Sequence, residues 1–149
     1  MENLFNGVDR DAILARLAAL DPASQRRWGK MTPAQMLAHC SAALQYPLGE
    51  KSARQPLLGR LLTPLLKGRI LGPAPFGKNG PTAPDLVVAD GREFEPERQR
   101  LLDYTVRFCA EGRGGVNNRR HAFFGALTGD EWGRLMYKHL DHHLRQFGA

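Results

Sequence analysis

The chain has 149 residues, 42% of them hydrophobic and 24% charged, which fits one globular domain whose core needs no covalent staples. Two cysteines exclude a disulfide framework or a four-thiolate zinc site; with no run near the roughly 18 apolar residues of a membrane span, and Glu, Asp and Arg mixed into the opening stretch where a signal peptide would be apolar, a soluble, cytoplasmic protein is expected. The net charge of +6, from 21 Lys and Arg against 15 Asp and Glu, is scattered without a long basic run and reads as a solvated surface, so neither nucleic acid nor a membrane is an expected partner.

A first helix is expected from about Val8 to Leu20. Ile13, Leu14, Leu17 and Leu20 share one face, Asn6 or Asp9 can cap the start, and Asp21-Pro22 ends it. Thr32-Pro33 marks the second helix more sharply, as an N-cap hydroxyl followed by proline where its missing N–H costs nothing. It should run to about Gln45, with Met36, Leu37, Cys40, Ala43 and Leu44 on its apolar stripe and His39 at the stripe's edge. The pairs Leu57-Leu58, Leu61-Leu62, Leu65-Leu66 and Ile70-Leu71 argue for a third helical stretch that Pro64 kinks or splits. Its apolar excess from Leu57 to Leu66 makes a homodimer an expectation.

From Gly72 to Pro84, Pro73, Pro75, Pro81 and Pro84 alternate with glycines, the composition of a long ordered loop or a lid. Leu86-Val87-Val88 is a candidate short extended piece. Leu101, Leu102, Thr105, Phe108 and Cys109 form the stripe of a further helix that stops at Gly112. After a loop around Asn117-Asn118, Thr128 and Glu131 make a capping box that opens a last helix reaching about Phe147, with Gly148 as its C-terminal cap. One short strand candidate against four or five helices predicts an all-α bundle, a single domain over residues 1–149.

Three of the five histidines lie in the last helix. Taking His139 as zero at about 100° per residue, Trp132 falls near about +20°, His143 near about +40° and His142 near about −60°. His139 and His143 therefore share the face of Trp132, Leu135 and Met136, while Arg134, Lys138, Asp141 and Arg145 lie on the solvated side. Two imidazoles one turn apart can converge on a divalent ion. As a pair they fit equally well as core histidines satisfied by backbone or water. His39, on a different helix, shifts the balance, because facing helices can bring three nitrogens together and leave positions open for water or substrate.

These residues carry a resemblance. Met31-Thr32-Pro33 with His39, together with His139, His142, His143 and Gln146, resembles the DinB-like superfamily of four-helix bundles, which includes bacillithiol and mycothiol S-transferases and maleylpyruvate isomerase-type enzymes. Trp28-Gly29-Lys30-Met31, Ala38-His39-Cys40, Pro81-Thr82-Ala83-Pro84, Phe123-Phe124-Gly125 and Tyr137 to His143 resemble a bacterial branch of unknown function within it. The resemblance implies a divalent metal, commonly zinc, nickel or iron, held by His39, His139 and His143. It also implies a metal-dependent enzyme that activates a low-molecular-weight thiol toward a small electrophilic substrate, or water for hydrolysis. A non-catalytic interaction or stress-response bundle with a remnant or structural metal site is the alternative. Where the wider family often has Arg-Gly-Gln after the double histidine, this chain has Leu144-Arg145-Gln146.

Other residues have lesser expectations. Cys40 is turned about 100° from His39 on its helix and reads as core, as does Cys109. His142 is expected at a border position, or as a proton-transfer group. His121 is expected to anchor a loop or line a pocket, and Tyr137 to pack, at a dimer contact or within the fold. Lys78, Asn79 and Thr82 would meet a substrate if their loop is a lid.

Overall fold

Helix boundaries follow local rules closely in the computed structural model, which describes residues 1–52 and 67–149. Helix α1 spans Gly7–Ala19, α2 Pro33–Leu44, α3 Phe94–Gly115 and α4 Gly129–Gln146. Residues 67–71 are also helical. The rest of the third stretch, with Leu57 to Leu66, the Pro64 kink and the homodimer expectation built on them, lies outside the described residues.

Asn6 stands at the N-cap of α1 but makes no side-chain cap bond, whereas the caps expected at Thr32 and Thr128 are both complete capping boxes. Thr32 Oγ1 accepts from Gln35 N at 3.2 Å while Gln35 Oε1 accepts from Thr32 N at 2.9 Å. Thr128 and Glu131 repeat the pattern at 3.2 and 2.9 Å. Each reciprocal pair satisfies two N–H groups that a helix start would otherwise leave bare, so the helices that carry the histidines have fixed starts. Gly112 breaks α3 with φ +65°, and helical backbone resumes beyond it to Gly115, so the expected stop is a kink. Gly148, at φ +81°, ends α4 in the left-handed conformation that glycine adopts without strain.

Two further expectations are corrected. Leu86 belongs to a 3-10 turn, Pro84–Leu86, not to an extended piece. Proline pre-sets φ at the first turn position, and the turn closes through Leu86 N to Ala83 O at 2.9 Å and Val87 N to Pro84 O at 3.3 Å. The strands form instead in the segment read as loop, as a small antiparallel hairpin of β1, Arg120–His121, with β2, Gly125–Ala126.

The architecture is mostly helical. α2 packs most extensively on α3, α1 touches both α3 and α4, and α2 meets α4 along a narrower seam. Met36, Leu37, Leu101, Phe108, Trp132 and Leu140 are fully buried at the centre. Burial of each such side chain is worth about 1.5–3 kcal/mol against the exposed state. The opening residues are pinned to α4: Leu4 N donates to Gly133 O at 3.2 Å and Asn3 Nδ2 to Asp130 Oδ1 at 3.0 Å. Among the described residues no helix is long and apolar enough to cross a membrane.

Candidate metal centre

The seam between α2 and α4 holds His39, His139 and His143. One ring nitrogen from each lies within 4.8 Å of the others. His39 is 4% exposed, His143 is 8% exposed, and His139 is half-buried. Helical phase on α4 puts His139 and His143 on the face of Trp132, Leu135 and Met136, all of which are buried. His39 reaches the same point from α2, where it is buried along with its neighbours Met36, Leu37 and Cys40. The opposite side of α4 is less solvated than its charges suggest. Lys138 Nζ donates to Gly72 O at 2.8 Å and to Ile70 O, closing the end of the 67–71 helix. Asp141 pairs with Arg16 at 2.8 Å.

Hydrogen-bond partners fix which nitrogens face inward. His39 Nδ1 lies 2.8 Å from Leu86 O; a carbonyl only accepts, so Nδ1 carries the proton and Nε2 is a bare lone pair in the neutral ring. Gln146 Nε2 donates to Trp28 O at 2.8 Å, which turns Gln146 Oε1 toward His143 Nδ1 at 2.9 Å. His143 therefore also donates from Nδ1. These outer acceptors orient two of the three rings, the usual arrangement behind metal-ligating imidazoles.

His39 Nε2 and His139 Nε2 approach to 2.9 Å. Without a cation, a proton on His139 Nε2 must bridge them, leaving His139 Nδ1 as a bare acceptor. That Nδ1 is buried and has no hydrogen-bond partner, and it stays uncompensated whether it is a bare acceptor or the N–H of a ring bound through Nε2. With a cation, both Nε2 lone pairs are satisfied together. Three imidazole nitrogens are a donor set for a divalent transition-metal ion, and the residues present fit such an ion.

Electrostatics keep the three imidazoles uncharged. Burial pushes the His143 pKa down to about 3, with the neighbouring His39 adding to the effect. Burial lowers His39, partly offset by its bond to Leu86. His139 falls well below the ordinary histidine range through burial and through His143 and His39 beside it. All three are neutral at neutral pH, the form that binds a metal.

The other singled-out residues sort around this point. A cavity of about 550 Å³ opens beside the cluster and is lined by residues that include Trp28, Lys30, His39, Asn79, Thr82 and Gln146. Asn79 and Thr82 thus reach the site region, and Lys78 Nζ sits 4.7 Å from the centre of the Trp28 ring. His142 also lines the cavity, half-buried between Trp28 at 5.4 Å and Phe76 at 5.9 Å. Cys40 is buried against Met36 and outside the cluster, its thiol pKa raised by burial. Cys109 donates to Leu4 O at 3.3 Å, its pKa pushed up to about 11 by burial. His121 stacks on Phe124 at 4.7 Å and packs near Trp132, a loop anchor away from the cavity lining. Tyr137 packs against the core.

Sequence reasoning left the outer partners of the imidazoles unassigned. Gln146 had a usable signal, since it stands three residues after His143 and so on the same helix face. Leu86 and Trp28 act through backbone carbonyls and have none. Comparison with protein-family models, curated proteins and solved structures found no match to this chain.

Proposed function

We propose that this chain is a DinB-like bundle that binds one divalent ion through His39, His139 and His143 and acts as a metal-dependent transferase on a small thiol. The observation that carries the reading is the convergence of three neutral imidazoles, two with tautomers set by carbonyl acceptors, beside a cavity. A bound ion would supply Lewis acidity that lowers the pKa of a thiol or of water. In thiol transfer the thiol gives up its proton to solvent water, its sulfur bonds to the electrophilic carbon, and the leaving group departs with the bonding pair. The chain's own part is positional. Leu86 O holds the His39 ring, Gln146 holds the His143 ring, and Trp28 and Thr82 bound the space where reactants meet.

A second reading, a non-catalytic interaction or stress-response bundle with a structural or remnant metal site, draws on His139 Nδ1. A ligand with no outer partner is held less firmly than its neighbours. Metal analysis of tag-free protein beside His139→Ala tests the shared premise: about one equivalent is expected in the first and much less in the second, and equal, low content in both overturns it. A panel of low-molecular-weight thiols with a chromogenic aryl halide then separates the readings. Metal-dependent turnover supports the transferase, and its absence across the panel supports the non-catalytic bundle.

A further inference from the structure

The cavity beside the histidines has an unbalanced charge. Among its described lining residues Lys30 is a cation, and neither Asp nor Glu is present. The acidic groups near these segments in sequence are engaged elsewhere. The Asp85 carboxylate takes the Tyr46 hydroxyl, Asp90 pairs with Arg92 at 3.1 Å, and Asp141 pairs with Arg16 at 2.8 Å. Three neutral imidazoles cancel none of the charge of a divalent ion, so an occupied site would face the cavity with its full positive charge, next to the Lys30 side. Such a field in a partly enclosed space favours an anion.

The rest of the lining narrows the class. Asn79 and Thr82 bring hydrogen-bonding side chains suited to oxygen acceptors. Met31 and the run Leu86, Val87, Val88 and Ala89 make an apolar wall that an inorganic anion would leave uncovered. Trp28 adds an aromatic surface, with the Lys78 ammonium held against its ring.

We propose that the cavity takes a small organic carboxylate with an apolar body, its charge directed toward the histidine centre and Lys30 and its body against Leu86 to Ala89. The inference rests on the metal-binding reading above. The test uses the full chain loaded with Zn²⁺, its metal content measured first, and titrates benzoate, the neutral isostere benzamide and inorganic sulfate by calorimetry. Benzoate is expected to bind about tenfold or more tightly than either of the others, and Lys30→Gln to weaken benzoate by about tenfold while leaving benzamide unchanged. Benzamide or sulfate binding as well as benzoate, no binding by any probe, or an unchanged benzoate affinity in Lys30→Gln overturns the inference while the metal reading stands. Failure of the protein to take up Zn²⁺ overturns both.

Discussion

His39 and His139, one hundred residues apart, meet Nε2 to Nε2 at 2.9 Å across the seam between α2 and α4. The nearby His143 adds a third ring nitrogen to the pair, a set that a divalent ion would satisfy together.

Loading with metal is therefore expected to stabilise the fold. At a free ion concentration about 100 times the dissociation constant the gain is about 2.7 kcal/mol, read as a rise in Tm over metal-free protein. His39→Ala and His143→Ala should abolish the rise. A rise that persists in either variant would mean the ion binds elsewhere.

Gln146 fixes the His143 ring through an oxygen whose orientation is set by Trp28 O. Gln146→Leu should lower zinc affinity about 10- to 100-fold with helix content unchanged by circular dichroism. Gln146→Glu keeps an acceptor for His143 Nδ1 while giving up the donor to Trp28 O, and should lose less than Gln146→Leu. Equal losses in the two variants would show that packing, not the acceptor, is what matters.

His121 gives the fold a definite response to acid. Burial lowers its pKa from 6.5 to about 4, so above the unfolded value neither state is protonated and its contribution to stability is whole. As pH falls from 6.5 toward 4 the unfolded chain binds a proton that the folded chain refuses, and stability declines by up to about 3 kcal/mol. Chemical denaturation of His121→Phe across this window should show a shallower decline than the parent chain. Parallel curves would rule out the assignment.

Gly133 lies where the opening residues cross α4. A Cβ there would run into Asn3 Oδ1 and the Phe5 ring, whereas one at Gly114 meets nothing within 4 Å. Gly133→Ala is expected to destabilise by about 1–3 kcal/mol. Gly114→Ala, also in a helix, should be neutral or stabilising by up to about 1 kcal/mol. Thermal melts should thus show a lower Tm for Gly133→Ala and no loss for Gly114→Ala, and a harmless Gly133→Ala would mean the crossing is loose.

What could be read without coordinates was whatever obeys a short-range rule. Thr32 announced an N-cap and Thr128 a capping box because the partners lie within four residues, while the return bond from Gln35 to Thr32 emerged only in the structure. Helical phase alone divided the C-terminal histidines, turning His139 and His143 to the apolar face and His142 to its border. The 3-10 turn at Pro84–Leu86 was missed because three apolar residues in a row, Leu86 to Val88, look extended when the closing bonds to Ala83 and Pro84 are unknown. The hairpin around His121 was missed because two-residue strands have no periodicity to detect.

The sequence by itself therefore determined the course of the four described long helices, the caps at Thr32 and Thr128, and which C-terminal histidines turn inward, since each depends on neighbours within a turn or two. Only the tertiary structure decided that His39 reaches His139, that Leu86 and Trp28 supply the carbonyls behind the site, and that no described acidic side chain lines the cavity. Those relationships join segments far apart in the chain. They follow from the way α2 and α4 pack, and backbone carbonyls, being the same in every residue, leave no trace in the order of amino acids.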